Sequence, residues 1–598
     1  MQPCITSITI PLVLALTALA SAIETSLPRV STTSGLIGGH AAPNRTCVVE
    51  FLGIKYATAP TGELRFEPPK RFTVPQGTYY EASEWVSPTV RFSVLFCETP
   101  IRPLGLTEIS QAVIVSCAPL HDIWQQYQNV CKLTDNNLWG ELKSDCPSNK
   151  PPVSRFPNFT EPSGLRVWKN FAAQNNNPSS EDCLALNIWT KGPGLSAKKP
   201  VLVFFMEEVR FTIPGPHSPF FSGQYLADSE DVVVVTVKLA LSSPFYRLGI
   251  FGFSGGPGMT QNVALLDQRS AVEWVRDNIE GFGGDPSRIT ISGQSAGGAS
   301  VDYWSFAWTE DPIVAGLIPQ SGTSLSFLPN TKEYSESLWY NVSQTIGCGG
   351  PENDASQVLA CIRAADVAIV LAAAAKVPAL PTLALPQATF HPTVDNVTVF
   401  ADYKSLASEG RFSRIPMLAG NNDFEAGWYK LSAWAARINL TEPQWDLYNE
   451  RAFTCPNAYT TNYRVQYGVP TWRYRYFGDW DNLRLYNGSA GLGPRGSGAY
   501  HGSELEMIFG TAQDVSGLKN SPAEDAMSRY MMGAWAAFAR DPQKGLLSEY
   551  GWPPYDLAGD TLVRLGYEDS PKPSFVAPST YDGHCPAEND PLPGRGAF

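Results

Sequence analysis

The chain of 598 residues predicts an α/β protein: a central, mostly parallel, twisted sheet flanked by helices on both faces. Three observations carry that expectation. Val201-Leu202-Val203-Phe204-Phe205 and Val232-Val233-Val234-Val235-Thr236-Val237 are near-continuous apolar runs, the pattern of strands buried on both faces. Helical stretches such as 270–279 alternate with these short strands. No repeat or low-complexity block interrupts the alternation, and the 49 prolines and 50 glycines are spread through loops instead of gathering in a linker.

At the N-terminus, residues 8–20 form an apolar run that ends in Ala20-Ser21-Ala22, the small-x-small pattern of a signal-peptidase site. The run is short for a membrane span, and the region before it lacks Lys and Arg. Residues 1–22 are therefore expected to be a signal peptide, and the chain a secreted, extracellular one. Six Asn-x-Ser/Thr sequons, at Asn44, Asn158, Asn341, Asn396, Asn439 and Asn487, agree with a glycoprotein. Removing Cys4 with the leader takes the eleven cysteines to ten, an even number suited to disulfides in an oxidising compartment. No second apolar stretch is long enough to span a bilayer, and the C-terminal residues carry neither a retention signal nor an anchor tail, so no stable membrane insertion is expected. A net charge of −13 argues against nucleic acid and anionic membranes as partners.

In the middle of the chain, Ile289-Thr290-Ile291-Ser292-Gly293-Gln294-Ser295-Ala296-Gly297-Gly298 runs a β-branched strand pattern into Gly-x-Ser-x-Gly. This reads as a nucleophile elbow. A serine at such a strained strand-to-helix turn has its Oγ lifted above the sheet edge, and small neighbours keep the turn free of clashes. A purely structural turn is the alternative reading of the five-residue motif, which the upstream strand disfavours. A further strand is expected over 415–420.

Several of these stretches together carry a family resemblance. Phe282-Gly283-Gly284-Asp285-Pro286 through Gly297 resembles the type-B carboxylesterase signature, and Glu181-Asp182-Cys183-Leu184-Ala185-Leu186-Asn187-Ile188 resembles that family's second signature. Ordered matches at Phe51-Leu52-Gly53-Ile54-Lys55-Tyr56-Ala57, Leu64-Arg65-Phe66, Tyr246-Arg247-Leu248-Gly249-Ile250-Phe251-Gly252, Gln320-Ser321-Gly322 and Trp472-Arg473-Tyr474 extend it over about residues 45–560. The family includes cholinesterases and fungal lipases, and the resemblance implies an α/β-hydrolase fold. On length alone the chain would divide into three or four domains. The absence of a linker favours one catalytic domain with large excursions instead, over 23–598 and of the carboxylesterase type that the resemblance implies.

Serine hydrolysis needs a base for the Oγ proton and a carboxylate to hold that base in the right tautomer. His501, in Gly498-Ala499-Tyr500-His501-Gly502-Ser503-Glu504-Leu505, resembles the family's histidine loop and is the candidate base. Of the other five histidines, His40 precedes the first match, His121 lies in an apparent insertion, and His584 is in the tail. His217 and His391 have permissible spacing but surroundings unlike a base loop. Glu425, in Gly420-Asn421-Asn422-Asp423-Phe424-Glu425-Ala426-Gly427, is the candidate acid and Asp423 the runner-up. Ser295, Glu425 and His501 follow the chain order of an α/β-hydrolase triad. The family's acid stands directly before its loop glycine, whereas Ala426 intervenes here and leaves open whether the carboxylate is displaced. Ser321 is a candidate support for the triad.

The resemblance also implies an oxyanion hole made by the Ala296 N–H and two glycine N–H groups after the strand 201–205. Met206-Glu207-Glu208-Val209 stands there instead, with Glu207 and Glu208 in place of glycine. Loss of one such donor costs about 10²–10³-fold in rate. Met-Glu-Glu-Val can be encoded ATG-GAG-GAG-GTN, which read from the third base yields three glycine codons. A real substitution and a local frame error in the gene are thus both open. Residues of about 90–144 and 238–245 look inserted relative to the family.

The family's disulfides imply Cys146 with Cys183, closing a wall or lid of the gorge, and Cys348 with Cys361, with Cys455 and Cys585 a further pair. Cys47, Cys97, Cys117 and Cys131 have no assigned partners. No spacing resembles a metal or haem site and no phosphate-binding loop occurs, so no cofactor is expected. The expected activity is cleavage of a small-molecule or lipid ester through an acyl-enzyme. The alternative is a catalytically impaired, cholinesterase-like interaction protein. Oligomeric state and acyl preference have no signature in these residues.

Overall fold

A computed structural model describes residues 28–75, 78–81, 146–148, 162–172, 179–193, 198–205, 219–237, 246–378 and 389–586. The leader, the apparent insertions at about 90–144 and 238–245, the sequon at Asn158 and the loop 206–209 with Glu207 and Glu208 lie outside the described residues.

Strands β1 (Arg29–Thr32), β2 (Gly35–Gly38) and β5 (Tyr79–Glu81) form a small sheet. The main sheet is built from β3 (His40–Ala41), β4 (Val48–Lys55), β6 (Ala185–Lys191), β7 (Lys199–Phe205), β8 (Val233–Thr236), β9 (Gly284–Gln294), β10 (Gly316–Gln320), β11 (Met417–Asn422), β12 (Thr471–Tyr476), β13 (Leu562–Leu565) and β14 (Ser574–Val576). Across it the order is β3-β4-β6-β8-β7-β9-β10-β11-β12-β13-β14. From β8 to β13 every pair is parallel, and antiparallel strands close both margins. The expected α/β-hydrolase architecture is therefore what the chain adopts.

The apolar runs explain why the sheet is covered on both sides. All seven residues of β7 are buried. Because side chains alternate along a strand, Leu202 and Phe204 enter one core with Val234, Ile318, Leu418 and Trp472. Val201, Val203 and Phe205 enter the opposite core with Val233, Val235, Ile289, Ile291 and Met417. Helix Pro522–Arg540 covers the first face through Met531, Trp535 and Phe538, and helices Val263–Asn278 and Ala296–Ala307 cover the second through Val272, Val275, Val301 and Trp304.

The helix expected over 270–279 starts seven residues earlier, at Val263. Asp267, Gln268 and Arg269 break its apolar pattern, yet all three are buried. Asp267 is satisfied by Arg247, whose Nη2 reaches Oδ1 at 2.7 Å and whose main-chain N reaches Oδ2 at 3.0 Å. Paired charges thus fill positions where sequence periodicity calls for apolar side chains. The strand expected over 415–420 lies two residues later, at Met417–Asn422.

Among the described residues three disulfides have both partners in view, Cys146–Cys183, Cys348–Cys361 and Cys455–Cys585. The last ties helix Cys455–Gln466 to the end of the described chain across 130 residues. Cys47 is disulfide-bonded as well.

The parallel register lines up the strand ends that matter. Gln294 of β9 faces Gln320 of β10, Gln320 faces Gly420 of β11, and Asn422 faces Tyr476 of β12. Loops leaving these four strands emerge along one carboxyl edge, where open α/β sheets bind ligands.

Candidate active site

Ser295 is the single residue between β9 and the helix Ala296–Ala307, with φ 61° and ψ −119°. A non-glycine residue there is strained by about 1–3 kcal/mol and needs surroundings that over-determine it. Its main-chain N donates to Gln320 O at 2.7 Å, and its carbonyl accepts from Ala299 N at 2.9 Å. Glycines on both sides of the serine are a packing requirement. A Cβ on Gly293 would stand 2.5 Å from Gly297 O, and one on Gly298 would stand 2.7 Å from Gln320 O. The helix beyond is pinned by Asp302, fully buried, which accepts from Arg464 Nη2 at 2.6 Å and from Ser324 N at 2.8 Å. Ser295 Oγ itself is buried and has no hydrogen-bond partner.

Glu425 follows β11 and precedes the helix Ala426–Ala435. Its carboxylate is fully buried, with Oε1 accepting from Asn422 N at 2.6 Å and Oε2 lying 2.6 Å from His501 Nδ1. Ala426 therefore does not displace the Glu425 carboxylate: the chain enters the helix at once, with Glu425 already turned toward the histidine loop. The runner-up, Asp423, points elsewhere and is held by Arg475 Nε at 2.9 Å.

His501 lies in the loop after β12, 6% exposed, with Tyr429 and Phe453 rings 5.2 and 4.9 Å from its own. Acid and histidine loops are stitched together: Phe424 N donates to Ala499 O at 3.1 Å, and Asn422 Nδ2 to Tyr500 O at 2.7 Å. With Nδ1–H committed to Glu425, the neutral ring presents its Nε2 lone pair. That nitrogen is 3.1 Å from Gln294 Nε2.

Of the other expected residues, Ala296 begins the helix after the elbow, so its N–H belongs to the first turn and has no partner within the helix. Ser321 follows β10, is fully buried with φ 48°, and its Oγ has no hydrogen-bond partner. His40 sits on the outermost strand of the sheet, near Glu50 instead of the elbow. His391 faces Leu328 O.

Three neighbours escaped sequence reasoning: Gln294, Asn422 and Glu504. Asn422 Nδ2 also reaches Glu504 Oε2 at 2.6 Å, and Gln320 Nε2 reaches Glu504 Oε1 at 3.3 Å. Burial first, and the nearby Glu425 charge second, push the Glu504 carboxyl up to about 7, against the pull of the Asn422 hydrogen bond. Its position three residues after His501 was the one available signal. Among the described residues no cluster of His, Cys, Asp and Glu could hold a metal ion.

A buried imidazole–carboxylate couple beside a serine on a strained elbow can deprotonate a hydroxyl and then protonate a leaving group. Comparison with known proteins shows the family. The profile of the carboxylesterase family matches residues 26–84, 141–452 and 437–577. The chain is 30% identical to a chlorogenic acid esterase of Aspergillus niger over 427 residues, 68% of this chain and 77% of that protein. It is 29% identical over 430 residues to secreted lipase 5 of Gibberella zeae, covering 68% and 76%. With the acetylcholinesterase of Bungarus fasciatus it shares 25% identity over 502 residues, 75% and 78% of the two chains. The chain belongs to the carboxylesterase family.

Proposed function

We propose that this protein is a secreted serine hydrolase that cleaves carboxylic esters through an acyl-enzyme. The observation that carries the proposal is the 2.6 Å contact between Glu425 Oε2 and His501 Nδ1, buried beside the elbow that presents Ser295. His501 Nε2 takes the proton as Ser295 Oγ bonds to the ester carbonyl carbon, and Glu425 stabilises the imidazolium. The tetrahedral oxyanion draws on the Ala296 N–H. Collapse breaks the bond to the alkoxy oxygen, which leaves as an alcohol with the proton from His501. Water then adds to the acyl-enzyme, giving one proton to His501, and Ser295 Oγ recovers that proton as the acid departs. The esterase and lipase relatives support this class of substrate. Secretion rests on the leader pattern, the sequons and the disulfides.

One feature favours a second reading, a non-catalytic interaction protein: Glu207 and Glu208 at the glycine positions of the oxyanion loop. Hydrolysis of a p-nitrophenyl ester separates the two. The hydrolase reading expects turnover that disappears in Ser295→Ala. A folded protein with no turnover and no acylated Ser295 would leave the interaction reading standing.

A further inference from the structure

We propose that Gln294 is a latch on the catalytic base: before substrate binds, its side-chain amide holds His501 Nε2, and an ester must displace that amide before Ser295 is activated. The inference rests on the assignment of His501 as the base of Ser295. It starts from proton bookkeeping. Glu425 Oε2 at 2.6 Å from Nδ1 places the ring proton on Nδ1, so Nε2 carries the in-plane lone pair. Gln294 Nε2, 3.1 Å from that atom, is an amide nitrogen with only protons to offer, so it is the donor.

A single lone pair takes one strong hydrogen bond, and two donors want it. One is the Gln294 amide, and the other is the Ser295 hydroxyl, which must give Nε2 its proton for reaction. In the structure the amide has the place, and Ser295 Oγ is buried with no hydrogen-bond partner. Gln294 is well placed to compete because it is the last residue of β9, 6% exposed, directly before the elbow. Its backbone is held in register against Gln320, and the histidine loop packs close: a Cβ added to Gly502 would stand 3.8 Å from Gln294 Nε2. An ester seated at this edge pushes the amide off Nε2, with no new bond to Gln294 in return, and so opens the lone pair to the serine hydroxyl. Gln294 is thus a positioning residue that acts through His501.

The test compares wild type with Gln294→Met, which keeps side-chain length and removes the donor, and with Gln294→Leu as a second donor-free variant. A net hydrogen bond of this kind corresponds to about two- to ten-fold in equilibrium. Removing the latch should therefore speed fluorophosphonate labelling of Ser295 by about two- to ten-fold. Since a latch lowers apparent affinity by the fraction of protein that is unlatched, KM for p-nitrophenyl acetate should fall by the same factor with kcat unchanged. A merely structural glutamine would not produce a gain in labelling with that split. Variants with wild-type thermal midpoints that label no faster than wild type would overturn the latch while leaving the hydrolase reading intact. Wild-type protein whose Ser295 resists labelling altogether would remove both.

Discussion

Ser295, the proposed nucleophile, and Glu425 with His501, the proposed acid–base couple, are held in opposite ways. At Ser295 the backbone is tied down on both sides, N to Gln320 O and O from Ala299 N, while the side chain has no partner. At Glu425 and His501 the side chains are the ones engaged, with Asn422 N on one carboxylate oxygen, Nδ1 on the other and Gln294 on Nε2. Fixing the serine through its main chain leaves Oγ available to a substrate carbonyl. Fixing the imidazole through its ring atoms sets its tautomer, the one property a general base cannot lack. The loop contacts follow the same division: Phe424 N to Ala499 O and Asn422 Nδ2 to Tyr500 O join the acid and histidine loops into one unit.

The largest effect that sharpens this contrast is at the acid. Glu425→Gln should lower kcat by about 10⁴-fold, since an amide at that position favours the wrong imidazole tautomer. Asp423→Asn, which touches Arg475 instead, should stay within about tenfold of wild type. Comparable losses in the two variants would mean that Glu425 does not orient the base. A smaller effect is expected where the loops are stitched. Asn422→Ala removes the donor to Tyr500 O and Glu504 Oε2 together. It should cost about 1–3 kcal/mol of stability, read by denaturant unfolding. It should also lower kcat by about 10²-fold, the scale of a catalytic group displaced by an ångström. Wild-type turnover in a destabilised Asn422→Ala would show that the stitching serves the fold alone.

The smallest effect is in pH dependence. Glu504, raised from its ordinary 4.5 to about 7, binds its proton more tightly folded than unfolded. It therefore favours folding below about 4.5 and loses that contribution as pH rises through about 7. The thermal midpoint of Glu504→Gln should fall less than that of wild type across this window. Glu524, also raised to about 7 chiefly by burial, remains in both proteins and cancels in the difference. Parallel pH profiles for the two proteins would place Glu504 outside this titration.

What the sequence makes legible is what is local. The apolar runs announce strands buried on both faces, and the elbow is written in ten consecutive residues. Asp423 and Glu425 share one short loop and one chemistry, so no local pattern separates them; the separation comes from Arg475 across the β11–β12 pair and from the early start of helix Ala426–Ala435. Gln294 and Asn422 are invisible for a related reason. Their partners lie 207 and 82 residues away in sequence, at His501 and Glu504. The first turns of the helix at Val263 are hard to see in sequence for a similar reason: Asp267 and Arg269 are charged, and only the fold supplies Arg247 and Asp311 to neutralise them.

The most direct measurement is covalent labelling with a fluorophosphonate, followed by peptide mapping of the adduct. It asks whether the serine is activated without requiring the deacylation half of turnover. The account predicts one phosphonylated residue, Ser295, with labelling abolished in Ser295→Ala and slowed by several orders of magnitude in His501→Ala. Folded protein that takes up no label at Ser295, or labels equally well without His501, would contradict it.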